Sequence, residues 1–174
     1  MSDLDIQLSE EISYYYDKPY EFVMIAFPWG EVGPLQGFDG PDQWQKDFLI
    51  DLGHEIRANG FDGVNAVDPI LMATSSGHGI GKSALTAMLI LFILSTRSYA
   101  KGIVTANTGE QLKTKTMAEL AKWNSMCITG TWFEVTAMSI SHRAYPRTWR
   151  CDAQTSREEN SEGFAGLHNA TSTP

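Results

Sequence analysis

A short glycine-rich segment carries residue types that can hold a phosphate. It matches the pattern GxxxxGK[ST], except that Ser76 stands at the first glycine position. Glycine permits positive φ and close backbone approach, so successive amide N–H groups can surround an anion. A helix is predicted to begin at Lys82, and its positive end favours the same anion. We therefore predict a nucleotide site formed by Ser76, Gly77, His78, Gly79, Ile80, Gly81, Lys82 and Ser83.

Lys82 and Ser83 are the residues of this loop with direct chemistry. The Lys82 ammonium is expected to contact the β and γ phosphates of ATP, and the Ser83 hydroxyl to ligate the Mg²⁺ that bridges them. ATP and Mg²⁺ are thus the predicted cofactors, with Lys82 as the catalytic candidate and Ser83 as the metal ligand. The alternative is a glycine-rich turn with an incidental lysine. For His78, a γ-phosphate contact and a solvent-exposed loop position both stay open.

The elements around the loop have the order that such a site needs. Residues 69–74 form an apolar run, interpreted as a strand, and residues 84–94 are predicted to form a buried helix. The apolar run of that helix is shorter than the ~20 residues needed to cross a bilayer. Residues 102–106 read as a second buried strand, followed by a helix over about 109–124. Strands that alternate with helices predict an α/β fold with a mainly parallel sheet.

The rest of the chain completes the expected organisation. Apolar residues recur at three- and four-residue spacing over residues 42–57, which predicts a helix with one buried face. Residues 132–140 and 149–154 are candidate strands. Residues 1–40 are rich in aromatic residues and glycine, and we expect an ordered but irregular arm there, beside a partial P-loop domain over residues 41–174.

Composition restricts the class of protein. The 174 residues are 43% hydrophobic and 20% charged, as in one soluble domain. The formal net charge of −8 repels polyanions, so any nucleic-acid contact must be local. Cys127 and Cys151 form no CxxC or Cys/His cluster, which argues against a disulfide scaffold or a structural zinc and favours a reducing cytoplasm. The acidic N-terminus is unlike a secretory signal.

Several stretches together resemble a known family. SGHGIGKS, GIVTANTGEQLKTKTMAELAKWNS and SREENSEGFAGLHN, with PDQWQ upstream, look like the ATPase half of large terminase subunits from tailed bacteriophages. The likeness spans most of residues 20–170. It implies a P-loop NTPase fold of the RecA/ASCE type, with three layers. It also implies that the protein drives double-stranded DNA into a capsid. It also implies a homo-oligomeric ring in the host cytoplasm, with the portal protein and the small terminase subunit as partners and no membrane.

The resemblance gives Gln45 a possible role. It lies where such motors carry a glutamine that reads adenine, and an amide can both donate to and accept from the adenine edge. The alternative is a polar residue on the exposed side of the helix, with Trp44 packing into the core. Both interpretations stay open at this point.

The elements for hydrolysis are incomplete. This class also needs an apolar strand that ends in acidic residues, and the resemblance places that strand after GFAGLHN, beyond Pro174. The acids of a two-metal nuclease are not recognisable either. We therefore expect nucleotide binding, with doubtful catalysis. Other interpretations are a different ring-forming or helicase-like P-loop ATPase, and a non-catalytic scaffold for the portal or the small subunit.

Basic residues provide two further candidates. Arg143, Arg147 and Arg150 could stabilise charge on a transferred phosphoryl group, although surface solvation is the alternative for each. Lys113 and Lys115 could meet a DNA phosphate, or could simply be solvated on a helix surface.

Overall fold

The computed structural model describes residues 3–75, 77 and 79–155 of the chain. This part of the molecule combines helices with one four-stranded sheet. The helices are α1 (Asp3–Ser13), α2 (Pro19–Ala26), α3 (Gln43–Ala58), α4 (Lys82–Thr96), α5 (Gly109–Gln111), a π-helical segment (Leu112–Met117), α6 (Ala118–Met126) and a 3₁₀ turn (Gly130–Trp132). The strands are β1 (Lys101–Ala106), β2 (Phe133–Val135), β3 (Ser139–His142) and β4 (Arg150–Thr155).

The sheet has the strand order β1-β4-β3-β2. β1 and β4 run parallel, with Ile103 opposite Asp152, while the β3–β4 and β2–β3 pairings are antiparallel. The predicted mixed α/β class is thus confirmed. The predicted parallel relation holds for β1 and β4, which is one of the three pairings among the described residues.

α4 is the central helix of the core. Its side chains are apolar on nearly every face, and Leu85, Met88, Leu91 and Phe92 are almost fully buried. A helix that is apolar all round must be covered on several sides, and here α1, α2 and α6 all contact it. This confirms the buried helix predicted over residues 84–94. No helix in the described part of the chain is long and apolar enough to span a membrane.

The first 26 residues are more regular than the sequence suggested. The prediction of an irregular arm is wrong for α1 and α2, which are helices with fully buried side chains at Ile12, Phe22 and Val23. Pro19 begins α2 at the position where a helix tolerates proline, because the missing N–H would have no partner there. These helices therefore belong to the core rather than lying over it.

Arg97 ties α1 and α2 to the end of α4. Only 1% of its surface is exposed, and its guanidinium donates to the Tyr16 carbonyl at 3.0 Å and to the Thr96 hydroxyl at 2.9 Å. The same group lies over the rings of Phe61 and Phe92. Burial lowers the pKa of Arg97 to about 10, since a low-dielectric environment disfavours the charged form.

The predicted strand over residues 69–74 is not formed. These residues adopt no helix or strand, and Leu71 is 92% exposed. A strand needs a neighbour that accepts and donates its backbone hydrogen bonds, and none of the described strands pairs with this run. β1 also differs from prediction: none of its residues is fully buried, because its second edge has no partner strand among the described residues.

The candidate strand over residues 132–140 is divided by a turn. Thr136 accepts the N–H groups of Met138 and Ser139 on its hydroxyl, at 3.3 and 3.1 Å, and donates its own N–H to the Ser139 carbonyl at 2.8 Å. A threonine hydroxyl that takes local backbone partners in this way competes with a continuous ladder. The result is a tight hairpin of β2 and β3.

The helix expected over 109–124 is present, with a π-helical segment inside it.

Both cysteines are buried thiols without a disulfide. Burial raises the pKa of the Cys127 thiol, and raises that of Cys151 to about 12 with a further contribution from the Asp152 carboxylate. A thiol with a raised pKa is a poor nucleophile and a poor metal ligand, because the thiolate is the reactive form.

Candidate nucleotide-binding site

The predicted phosphate loop ends in two left-handed glycines. Gly79 has φ +79° and Gly81 has φ +84°, a region that glycine enters without a Cβ clash. Gly81 is the N-cap of α4, and no side chain caps this end of the helix. The first N–H groups of a helix have no acceptor within the helix, so this end presents backbone donors suited to an anion. Gly79 has open space on its Cβ side.

Lys82 and Ser83 occupy the first two positions of α4. Both are exposed, whereas Ile80 and Gly81 are half-buried. Their place at the start of a long helix is the one that the sequence predicted. Two of the predicted site residues, Ser76 and His78, lie outside the described residues.

Two side chains of α3 donate hydrogen bonds to the backbone of the loop. Gln45 donates its amide N–H to the Gly81 carbonyl at 2.9 Å, and Trp44 donates its indole N–H to the Ile80 carbonyl at 3.0 Å. Both carbonyl oxygens therefore accept a side chain of α3, and the Gly81 carbonyl also accepts the Leu85 N–H of α4. Since each peptide unit points its N–H away from its C=O, this fixes the direction of the neighbouring amides.

Gln45 also organises the start of its own helix. Its amide oxygen accepts the backbone N–H of Asp42 at 3.0 Å, which is one half of a capping box. The side chain is 4% exposed, so the interpretation of Gln45 as a residue on the exposed side of α3 is wrong. Adenine contact stays a prediction, because the amide has one further hydrogen and one further lone pair.

A hollow of about 220 Å³ lies beside the loop. This is below the roughly 300–1,000 Å³ of sites for whole drug-sized ligands, and it suits one ring system. The ring centroids of Trp29 and Trp123 are 5.8 Å apart, and both indole N–H groups are satisfied by protein acceptors. The wall is mainly aromatic, proline and aliphatic. Its residues are Trp29, Pro34, Leu35, Phe38, Gly40, Pro41, Asp42, Gln45, Gly81, Ala84, Met88, Glu119, Lys122 and Trp123.

Sequence reasoning did not find this hollow. The aromatic and proline residues over 29–41 were recognised only as part of an arm, and nothing in their spacing indicates that they face α6. The capping-box pattern of Asp42 and Gln45 was visible in the sequence. That pattern would have predicted that the Gln45 amide oxygen turns toward the backbone.

The charges of the hollow favour a neutral group. Asp42 and Glu119 are among its lining residues, and Glu119 lies 3.5 Å from the ammonium of Lys122. Carboxylates repel an anion, so an anionic group fits better on the side of Lys82 and a neutral group fits better in the hollow. Within the described residues there is no group of three or more His, Cys, Asp or Glu side chains that could hold a metal ion.

The three candidate arginines lie far from the loop of their own chain. The Trp149 indole donates to the Leu94 carbonyl at 2.9 Å, which places the turn between β3 and β4 at the C-terminal end of α4. The 15 residues of α4 span about 22 Å. Arg150 is engaged with the Asp152 carboxylate, so the prediction that Arg143, Arg147 or Arg150 contacts the transferred phosphoryl is not met within one chain.

Comparison with protein-family models, with curated proteins and with solved structures finds no match to this chain. The likeness to terminase large subunits therefore depends on the quoted stretches alone. Of these, SREENSEGFAGLHN lies outside the described residues. The loop geometry is independent of that likeness.

The Gln45 contact gives a direct test of how the loop is held. In Gln45→Glu the carboxylate can still accept the Asp42 N–H, but it cannot donate to the Gly81 carbonyl. We expect the free energy of unfolding to fall by about 1–3 kcal/mol, because a buried carboxylate then faces the Gly81 carbonyl oxygen in place of the amide donor. Affinity for ATP and for GTP should fall by the same factor if Gln45 positions the loop. A change in the ATP to GTP ratio would instead support adenine reading.

Gln43→Glu is the matched control for this variant. Gln43 lies two residues away in the first turn of α3, is exposed, and undergoes the same change of charge. Its unfolding free energy should stay within about 0.5 kcal/mol of the wild type. Urea denaturation followed by tryptophan fluorescence measures both variants.

Proposed function

We propose that this chain binds ATP with Mg²⁺ at the loop formed by residues 76–83. The observation that carries the proposal is the geometry of Gly79 and Gly81, two left-handed glycines directly before the uncapped N-terminus of α4. Such a backbone turns successive N–H groups toward one point, which is how anion-binding nests are formed.

Lys82 and Ser83 would add the side-chain contacts. The ammonium of Lys82 neutralises charge on the outer phosphates, and the Ser83 hydroxyl is a hard oxygen ligand of the kind that Mg²⁺ prefers. Bound Mg²⁺ supplies further neutralisation of the phosphate oxygens. This requirement is strong here, because the chain carries a formal net charge of −8.

The base of the nucleotide would occupy the hollow beside Gly81. Trp29, Phe38 and Trp123 offer aromatic faces and edges, and Gly81 contributes to both the loop and the hollow. Because Gly81 belongs to both the loop and the hollow, the phosphates and the base of one nucleotide would lie next to each other. A neutral ring in an apolar hollow and an anion at a helix N-terminus match the two halves of a nucleoside triphosphate.

At the level of biological role, we propose the nucleotide-binding part of a large terminase subunit, a P-loop motor with a three-layer fold that packages double-stranded DNA into a capsid. The quoted sequence stretches support this role, and the strand-free path of residues 69–74 is the feature that fits it least. The corresponding partners are the portal protein and the small terminase subunit, with a ring of copies in the host cytoplasm.

Metal dependence tests the site. We expect a fluorescent ATP analogue to bind the wild-type chain more tightly with Mg²⁺ than with a chelator, and Ser83→Ala to lose most of this difference. Ser125→Ala is the matched control, because Ser125 is an exposed helical serine on α6. Equal Mg²⁺ dependence in wild type and Ser83→Ala would contradict the proposed metal contact. Absence of binding by the wild type would contradict the whole proposal.

A further inference from the structure

An aromatic cluster lies at the end of α4 opposite to the loop. His142 stacks on Trp149 with ring centroids 4.2 Å apart and planes at 9°. Tyr99 contacts Trp149 at 5.6 Å and Tyr145 at 5.2 Å, both measured between ring centroids. We call the side chains of Tyr99, Trp132, His142, Tyr145 and Trp149 the aromatic cluster.

The cluster lines a cavity of about 140 Å³, together with Ser9 and Ser98. Trp132 is nine-tenths buried, and its indole N–H has no hydrogen-bond acceptor among the described residues. A buried donor without a partner is costly. The Trp132 nitrogen is itself shielded from solvent, and the Trp149 indole N–H is already satisfied by the Leu94 carbonyl, so the cavity lining offers a ligand mainly aromatic surface.

Two tyrosines at this site present their rings to solvent. Tyr99 is 47% exposed and Tyr145 is 46% exposed, although both contact buried members of the cluster. Tyr99 has φ +62°, a conformation that a bulky side chain rarely adopts and that is unfavourable for it. The Tyr99 ring lies edge to face against Tyr145, with the two planes at 69°.

The turn between β3 and β4 adds positive charge beside the cluster. Of the 13 lysines and arginines in the chain, three fall within residues 143–150, and residues 143–149 contain no acid. Arg150 pairs with Asp152. Arg143 and Arg147 are exposed and form no salt bridge within the described part of the chain. This is a local cationic patch on an acidic protein.

We propose that the aromatic cluster and the turn form a binding site for single-stranded nucleic acid. An unpaired base stacks on Tyr145, with the Tyr99 ring at an angle beside it, and Arg143 and Arg147 contact the flanking phosphates. Proteins that bind single strands without reading sequence combine exposed aromatic rings, on which bases stack, with basic side chains that contact the nucleic-acid backbone.

A single strand fits this surface better than a duplex does. Base faces are accessible only when the bases are unpaired, and aromatic rings read faces rather than groove edges. The site is separated from the nucleotide loop by the length of α4, about 22 Å for 15 residues. The proposal therefore does not rest on ATP binding, and either can fail alone.

Fluorescence anisotropy with a labelled oligothymidylate tests the stacking. We expect Tyr145→Ala to weaken binding about tenfold or more, and Tyr145→Phe to stay within about twofold of wild type because the ring is kept. Tyr145 is half-exposed, so truncation should leave the fold intact, as circular dichroism can verify. Tyr14→Ala is the matched control, because Tyr14 is 66% exposed and does not line the cavity.

Salt dependence tests the phosphate contacts. In the double variant with Arg143→Ala and Arg147→Ala, the slope of log affinity against log salt should fall by about 0.7 for each phosphate that is no longer neutralised. Lys18→Ala with Lys46→Ala removes the same charge at residues that do not line the cavity and should leave the slope unchanged, and Lys82→Ala should leave oligonucleotide affinity unchanged. No binding by wild type, equal binding by Tyr145→Ala, or equal affinity for a duplex of the same length would each overturn the proposal.

Discussion

Lys82→Ala is expected to lower the affinity for a fluorescent ATP analogue by about tenfold to hundredfold. A hydrogen bond to a charged group contributes about 1.5–3 kcal/mol, and each 1.4 kcal/mol is a factor of ten in affinity. Lys82 is exposed at the first position of α4, so its removal creates no cavity. Stability should therefore change little, and the loss should appear in binding alone. Titration at fixed Mg²⁺ measures it.

Lys113→Ala is the control for the Lys82 variant. Lys113 is also exposed and helical, and its removal changes the net charge by the same amount. We expect its ATP affinity to stay near that of the wild type. If both lysine variants bind the analogue as tightly as the wild type does, the loop is not the phosphate site.

Gly130→Ala is expected to be the most destabilising single substitution among the described glycines. A Cβ at this position would overlap the Asn124 carbonyl oxygen and lie 3.1 Å from the Asn124 carbonyl carbon. Both obstacles are backbone atoms at the end of α6, where the Asn124 carbonyl also accepts the Cys127 N–H. The backbone must move, and we expect a loss of roughly 3 kcal/mol or more in unfolding free energy.

Gly37→Ala provides the comparison. A Cβ at Gly37 meets no atom within 4 Å, so the change should stay within about 0.5 kcal/mol of the wild type. Thermal unfolding gives the difference, at about 2–4 °C per kcal/mol for a chain of this size. Equal melting temperatures for the two variants would show that the connection between α6 and β2 is looser than described.

Much of the helical structure was predictable, because its signals are local. α3 and α4 follow from apolar periodicity and from the sequence around Asp42 and Gly81, and the structure confirms both. The positive φ of Gly79 and Gly81 was also predictable, because glycine is the residue that enters this region without strain. The two-helix start of the chain was missed, because clustered aromatic residues suggested irregular structure.

The remaining errors concern contacts between distant residues. Whether residues 69–74 form a strand depends on a neighbouring strand, and no pattern within the run reveals one. The hollow beside Gly81 combines Trp29 with Trp123, residues from opposite parts of the chain. The aromatic cluster likewise joins Tyr99 to Trp149. Such pairings arise from tertiary packing, which a single sequence does not encode in local spacing.

Two hydrogen bonds from α3 to the loop connect the position of this helix to the position of the loop backbone. α3 has 16 residues and is about 24 Å long, and its far end is held by Arg57, which donates to the Asp17 carbonyl at 2.7 Å. If a ligand shifted this far end, Gln45 and the Gly81 carbonyl would be placed to move with it. By thermodynamic linkage such an effect would be reciprocal: a ligand at the loop would then alter the affinity of a ligand near Asp17 by the same factor.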